Sequence, residues 1–206
     1  MGEDREWAAV TAALAEAGAW LYARGLVPAT SGNFSARLAD GGLAITVSGR
    51  HKGRLGPRDF LRWHPDGRCE GEGRPSAEFG LHRMLYARDP AIGCVLHPHS
   101  PAATVLSRHV TGPLVLAGYE LLKAFPGIAT HATRLLVPVL DNDQDIERLA
   151  GAAAAALDGA GPCWAFLIRG HGYYTWGRDA AEALRHVEAL EFLFECELRS
   201  AALAHR

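Results

Sequence analysis

The sequence lacks any long apolar run. Although 49% of its 206 residues are hydrophobic, the apolar stretches are short and interrupted by charged residues. None approaches the roughly 20 residues that a membrane-spanning helix needs. The first residues include Glu3, Asp4 and Glu6 and contain no apolar core, so no secretory signal is expected. We therefore predict that no membrane is among its partners.

A strong net charge and paired cysteines are lacking as well. The formal net charge is −2 at pH 7, so no strong field attracts nucleic acid, and none is expected as a partner. The four cysteines, Cys69, Cys94, Cys163 and Cys196, are scattered and form no C-x-x-C pair. This spacing favours reduced thiols and a cytoplasmic location over a disulfide framework.

Alternating helix and strand patterns fill the chain. Apolar residues recur at helical spacing from Trp7 to Leu21 and again over residues 179–204. Ser100 and Pro101 predict the N-cap and first turn of another helix. No repeat or linker interrupts the pattern. We predict an α/β fold in one domain, residues 1–206, with a central, mostly antiparallel sheet flanked by helices.

The remaining elements are predicted from short apolar runs, helical spacing and turn residues. The helix at Glu78–Arg88 is expected to turn His82 and Tyr86 inward, and Cys69–Arg74 is read as a loop. The other predicted helices are Glu120–Phe125 and Ile146–Leu157, and the predicted strands are Asn33–Leu38, Leu43–Val47, Phe60–His64, Ile92–Leu96, Leu135–Leu140, Trp164–Ile168 and Tyr173–Thr175.

Three histidines are the strongest candidates for a metal site. His97 and His99 follow a predicted buried strand, and residues two apart in an extended chain point to the same side. His171 lies between two glycines in a tight turn, where its ring can stand clear of the backbone. Three protein ligands with an open fourth position are typical of catalytic zinc.

Simpler interpretations of these histidines remain open. An H-x-H pair alone is weak, since His97 could be a satisfied core residue and His99 could face solvent. Composition does not select among the ten histidines. His186 and His205, on the last predicted helix, are expected on its surface.

Two glycine-containing segments predict an anion-binding nest. Thr30–Asn33 and Ser48–Gly53 combine hydroxyls, exposed backbone N–H groups and cations, and Ser76 precedes a predicted helix. Alone, each segment is more typical of an ordinary turn. Glu78 and Glu120 could likewise be ordinary surface carboxylates.

The combination of motifs resembles the class II aldolase and adducin family, from about Trp7 to Leu203. The motifs occur in the family's order, and Gly118–Lys123, Pro138–Asp145 and His171–Gly177 resemble its branch of ketose-phosphate dehydratases in methionine salvage. Pro98 replaces the threonine of many relatives. The motifs are Ser31-Gly32-Asn33, Ser48-Gly49, Ser76-Ala77-Glu78, His97-Pro98-His99 and His171-Gly172.

The resemblance implies the family's fold and a metal-dependent lyase. It implies one zinc ion per subunit on His97, His99 and His171, and an acid/base role for Glu120. Glu78 matches the acid/base glutamate of the aldolases, and its role is left open between a fourth zinc ligand and a second acid/base.

The resemblance also implies the substrate class and the assembly. The substrate would be a small phosphorylated ketose and the enzyme a homotetramer with sites near subunit contacts. Two alternatives are a fuculose-phosphate type of aldolase and a non-catalytic adducin-head-like domain, which the three histidines disfavour. The implied phosphate-binding residues are Gly32, Asn33, Ser48, Gly49 and Ser76, with Lys52 as an addition.

Overall fold

The computed structural model describes residues 2–204. Its α-helices are α1 (Gly2–Ala23), α2 (Phe79–Arg88), α3 (Pro101–His109), α4 (Ile146–Ala160) and α5 (Ala180–Ala204). Its strands are β1 (Asn33–Arg37), β2 (Leu43–Thr46), β3 (Phe60–Trp63), β4 (Cys69–Glu70), β5 (Cys94–His97), β6 (Leu114–Ala117), β7 (Arg134–Val137), β8 (Val139–Leu140), β9 (Ala165–Ile168) and β10 (Gly172–Gly177). Short 3-10 helices cover Lys52–Arg54, Pro57–Asp59 and Glu120–Ala124.

A sheet of eight strands organises the described residues, in the order β4-β3-β2-β1-β5-β10-β9-β8. All neighbours are antiparallel except β8 and β9. Strands β6 and β7 form a separate antiparallel pair. The predicted mostly antiparallel sheet with flanking helices is confirmed.

Helices cover both faces of this sheet. Adjacent residues of a strand point to opposite sides, so each face presents its own apolar side chains to the helices. Val95 of β5 lies in the cluster with α2 and α4, whereas the next residue, Leu96, packs with α1 and α5. In β10, Tyr174 belongs to the first cluster and Tyr173 to a cluster with α3 and α5. Strands β5 and β10 are therefore held from both faces, which fixes the loops that leave them.

Several local predictions are confirmed. The hairpin of β1 and β2 turns at residues 38–42, and His82 and Tyr86 of α2 are buried. The Ser100 hydroxyl accepts a hydrogen bond from the backbone N–H of Ala103 and caps α3, with Pro101 as its first residue.

Other predictions were wrong. The predicted loop Cys69–Arg74 contains β4, which pairs with β3, and β6 was not predicted. The predicted strand Leu135–Leu140 is two strands separated by Pro138, because proline cannot donate to a ladder and β8 turns to pair with β9. Glu120–Phe125 forms a 3-10 turn rather than an α-helix.

His186 is buried rather than exposed. Its Nδ1 lies 2.7 Å from the carbonyl oxygen of Trp176, and its ring packs against Phe125. The prediction that His186 lies on the surface of the helix was wrong, because tertiary contacts cover that side of α5. His205 lies outside the described residues. No helix among residues 2–204 combines the length and the hydropathy that crossing a membrane requires.

Candidate metal centre and active site

His97 ends β5 and is held by both neighbouring strands. It pairs in register with Asn33 of β1, and its Nδ1 lies 2.8 Å from the carbonyl oxygen of Tyr173. A carbonyl only accepts, so Nδ1 carries a hydrogen, and Nε2 is the ring nitrogen that a metal could use. That Nε2 is buried and has no hydrogen-bond partner among the described residues. A ring N–H given to a backbone carbonyl is the usual support of a metal-binding imidazole.

The rings of His99 and His171 lie next to the ring of His97 and next to each other. The ring centroids lie 4.6 Å apart for His97 and His99, 5.1 Å for His97 and His171, and 4.6 Å for His99 and His171. One nitrogen of each ring lies within 4.8 Å of the others. Three imidazole nitrogens, of which His97 Nε2 is buried and unpartnered among the described residues, fit the ligand set of zinc, which takes imidazole nitrogen at about 2.0–2.1 Å.

Close backbone contacts hold the three ligand segments together. The backbone N–H of Tyr173 donates to the carbonyl of Pro98, and that of His99 donates to Leu26. A side chain at Gly172 would place its Cβ 2.4 Å from the Pro98 carbonyl oxygen, and one at Gly32 would meet the His97 carbonyl at 2.7 Å. Glycine at these two positions lets the loops approach the end of β5.

Tyr174 fixes the plane of the His97 ring from behind. The two rings are stacked with centroids 4.1 Å apart and an angle of 11°, and Phe166 stacks on the far face of Tyr174. His97 therefore cannot rotate without disturbing the core, and its Nε2 keeps facing the other histidines.

Glu78 places a carboxylate against the histidine cluster. It precedes the first turn of α2, and its Oε2 lies 3.4 Å from His97 Nε2 while Oε1 lies 3.5 Å from His171 Nε2. The Asn33 amide donates to Oε2 at 2.9 Å. Burial alone would raise the pKa of Glu78, but His97, His171 and the Asn33 hydrogen bond hold this pKa well below its ordinary value. The carboxylate is thus negative and ready to face a cation.

Burial keeps the flanking imidazoles neutral. It lowers the pKa of His99 to about 3, with help from His97 and His171, and it also lowers the pKa of His171. Neutral imidazoles are the form that binds metal, so protons do not compete with a cation at neutral pH.

The predicted phosphate-binding segments converge beside Glu78. Asn33 donates to the Ser76 hydroxyl at 3.2 Å, and the backbone N–H of Ser48 donates to the Arg74 carbonyl. Ser48 and Gly49 are exposed, and Gly49 has a φ of 75° with open space around its Cα. The structure therefore places Gly32, Asn33 and Ser76 against His97 and Glu78, and it joins Ser48 to the segment that leads into Ser76.

Lys52 is buried and links two of these segments by hydrogen bonds. Its side chain is 1% exposed, and its Nζ donates to the carbonyl oxygens of Thr30 at 3.1 Å and Arg50 at 2.7 Å. Burial lowers the pKa of Lys52 to about 8. The lysine thus ties the two loops together and places a positive group beneath them.

Glu120 lies elsewhere on the surface of the chain. Its side chain is 70% exposed, and its partners among residues 2–204 are Lys123, which lowers its pKa, and His131 at 3.5 Å. It lines a groove of about 680 Å³ with apolar walls that include Leu121 and Phe192. The structure brings Glu78, and not Glu120, to the histidines of the same chain.

Sequence reasoning missed one residue that lies next to the site. His82 was expected to face inward, but nothing in its spacing pointed to the amide of Asn33, which its Nε2 contacts. The contact joins α2 to β1, 49 residues apart in the chain, and it forms because α2 packs on the sheet.

Comparisons with known proteins find relatives over nearly the whole chain. The sequence profile of the Class II Aldolase and Adducin N-terminal domain matches residues 12–198. A methylthioribulose-1-phosphate dehydratase of Methylococcus capsulatus is 57% identical over 95% of this chain and 96% of its own length. A protein of the same name from Pseudomonas paraeruginosa is 54% identical over 99% of this chain and 100% of its own.

Solved structures point to the same family. An L-fuculose-1-phosphate aldolase from Thermus thermophilus is 32% identical, with a TM-score of 0.74 over 94% of this chain and 95% of that one. Another L-fuculose 1-phosphate aldolase is 25% identical, with a TM-score of 0.78 over 94% of this chain and 87% of that one.

The buried histidines predict acid sensitivity of the metal-free protein. Burial lowers the pKa of His82 to about 3, while an unfolded histidine titrates near 6.5. Below about pH 6.5 the unfolded chain therefore binds protons that the folded chain refuses, and stability falls by about 1.4 kcal/mol per pH unit for each such group. Denaturant unfolding in the presence of a chelator, at several pH values from 7 to 5, measures this slope.

The control for this slope is an exposed histidine. His82→Gln should reduce the slope by about one proton, whereas His109→Gln, at an exposed position at the end of α3, should leave it unchanged. A stability that does not change between pH 7 and 5 would contradict the neutral, buried state of these histidines.

Proposed function

We propose that this chain, which belongs to the class II aldolase and adducin family, dehydrates 5-methylthioribulose 1-phosphate. The product would be 2,3-diketo-5-methylthiopentyl 1-phosphate, a step of methionine salvage. The observation that carries the proposal is an identity of 57% with a relative of that name over nearly the whole of both chains. We also propose a cytoplasmic location and a homotetramer.

One zinc ion per subunit belongs to the proposal, with His97, His99 and His171 as its ligands. The unpartnered Nε2 of His97 and the N–H given to Tyr173 support this assignment. Zinc held there supplies a Lewis acid that polarises the C2 ketone of the substrate and makes the C3 proton removable. Glu78, beside two of the histidines, would serve as a displaceable fourth ligand or as a second acid/base.

The far end of the substrate would be held by the converging loops. Gly32, Asn33, Ser48, Gly49 and Ser76 present N–H groups and hydroxyls to a phosphate. Lys52 adds a positive charge below the loops without reaching into solvent. A fixed phosphate turns proton transfer at C3 and C4 into a positioned event.

A carboxylate must then move one proton. The C3 proton is removed, and the electrons of that bond pass through the C2 carbonyl and expel the C4 hydroxyl, which leaves as water once protonated. The C3 enol then takes a proton at C4 and releases its O–H proton to water, which gives the second ketone. We assign the transfer from C3 to the C4 oxygen to Glu120, since one group that takes and returns the proton closes the balance.

Glu120 is separated from the histidines of its own chain, so we propose that it serves the site of a neighbouring subunit. Its side chain is exposed beside the groove that includes Leu121 and Phe192. An exposed carboxylate at the edge of an apolar surface is suited to reach across a contact between copies.

An aldolase of the same fold is the second candidate. The likeness to the Thermus thermophilus L-fuculose-1-phosphate aldolase favours it, because the fold does not decide which bond breaks. The dehydratase is preferred because the identity to the relatives of that name is much higher.

Turnover of 5-methylthioribulose 1-phosphate by the zinc-loaded protein tests the proposal. The diketone should form, a chelator should abolish its formation, and added zinc should restore it. His97→Ala should lose stoichiometric zinc, and Glu120→Gln should keep zinc but lose about 10²–10⁴-fold in kcat. Matched controls are His109→Ala and Glu147→Gln, both at exposed positions.

Three other outcomes carry distinct meanings. Zinc without turnover would reject the dehydratase, and fuculose 1-phosphate would then test the aldolase. Protein free of stoichiometric metal would reject the histidine site. A fully active Glu120→Gln variant would remove that residue from the mechanism.

Mixed oligomers test the position of Glu120. His97→Ala and Glu120→Gln should each be inactive alone. If Glu120 serves a neighbour, refolding the two variants together at equal amounts should restore about a quarter of the wild-type activity. Half of the sites have His97, and about half of those lie next to a subunit that carries Glu120. No restored activity in verified mixed tetramers would place Glu120 in its own subunit's site or outside catalysis.

A further inference from the structure

A continuous line of buried polar groups runs from Glu78 into the core. Asn33 contacts Glu78, His82 Nε2 contacts Asn33 Oδ1, Ser35 Oγ lies 2.6 Å from His82 Nδ1, and the Tyr86 hydroxyl lies 2.9 Å from Ser35 Oγ. His82 and Ser35 are 0% exposed, and Asn33 and Tyr86 are also buried. Their surroundings are apolar side chains of the cluster between α2, α4 and the sheet.

The direction of each hydrogen bond follows from its neighbour. An ionised carboxylate only accepts, so Asn33 turns its amide nitrogen to Glu78 and its oxygen to His82. His82 Nε2 must therefore carry the hydrogen. Because burial keeps this ring neutral, its Nδ1 accepts from Ser35, and the Ser35 oxygen accepts from the hydroxyl of Tyr86. Every donor in the line points toward Glu78.

The inner end of the line is fixed as well. Arg37 donates to the Tyr86 carbonyl at 2.9 Å and lies over the Tyr86 ring at 4.9 Å. Tyr86 cannot move away from Ser35 without breaking these contacts. The line is thus anchored at one end by a cation on the sheet and opens at the other end on the histidine cluster.

Inside an apolar core, a buried polar group without a hydrogen-bond partner destabilises the folded state, so each member of this line needs its partner. Only one set of directions satisfies all its members. If the Asn33 amide were reversed, its oxygen would face the Glu78 carboxylate and its N–H would face the N–H of His82. The line therefore selects the orientation of Asn33.

We infer that His82 is a positioning residue for Glu78. By holding the Asn33 amide with its nitrogen outward, it keeps the Glu78 carboxylate aimed at His97 Nε2 and His171 Nε2. It touches neither the metal ligands nor the substrate directly, and Asn33 transmits its effect. This inference rests on the proposed metal site but not on the identity of the substrate.

Zinc affinity in a double-mutant cycle tests the inference. Zinc dissociation constants would be measured by competition with a chromogenic chelator for the wild type, His82→Leu, Glu78→Gln and the double variant. His82→Leu should weaken zinc binding by about tenfold or more, as is usual for outer-shell partners. In the Glu78→Gln background the same change should have an effect of less than about twofold, because the effect acts through Glu78.

Two further variants separate positioning from packing. His82→Gln offers a neutral donor and acceptor. It should keep the zinc dissociation constant within about threefold of the wild type, a smaller change than the one expected for His82→Leu. Leu85→Ala, at a buried position on the same helix, should lower thermal stability without changing zinc affinity. This comparison also covers the case in which His82→Leu folds poorly.

The ring nitrogens of His82 give a readout independent of metal and activity. In ¹⁵N-labelled protein, Nε2 should carry the hydrogen and Nδ1 should be unprotonated. The opposite tautomer, or equal weakening by His82→Leu with and without Glu78, would overturn the inference. Failure of the dehydratase assay would leave these results unaffected, whereas absence of zinc binding in the wild type would overturn both proposals.

Discussion

The pairing of β5 with β1 on one side and β10 on the other is the constraint on which the site depends. Register with β1 sets Asn33 opposite His97, and β10 supplies the Tyr173 carbonyl that takes the Nδ1 hydrogen of His97. The same two strands carry the loops of Gly32 and His171 to the end of β5. A shift of one residue in either pairing would turn His97 to the opposite face of the sheet and dismantle the cluster.

Electrostatics at the site follow from this geometry. Three imidazoles crowd around one carboxylate in a partly buried pocket. Desolvation favours the neutral form of His99 and His171, while Glu78 stays charged. The resulting pocket combines a charged carboxylate with imidazole nitrogens, which suits a divalent cation. The polar line behind Glu78 keeps this charge pointed outward, where an apolar core would have left the carboxylate free to turn.

The parts of the site that depend on local chemistry could be predicted from the sequence. Alternation in an extended segment relates His97 to His99, and Ser100 with Pro101 starts the helix that follows them. Features that depend on contacts between residues far apart in the chain could not be predicted. The burial of His186 and the contact of His82 with Asn33 arise when helices pack on the finished sheet, and neither has a signature in residue spacing. The place of Glu120 in the proposed mechanism requires a second copy, which one chain does not define.

X-ray absorption at the zinc edge of the metal-loaded protein tests the central claim most directly. The account predicts a first shell of nitrogen and oxygen at about 2.0–2.1 Å, with multiple-scattering features of about three imidazoles and no sulfur. Replacing His97, His99 or His171 by alanine should each remove one imidazole or the metal itself. Sulfur in the first shell, or an unchanged imidazole count in all three variants, would contradict the three-histidine centre.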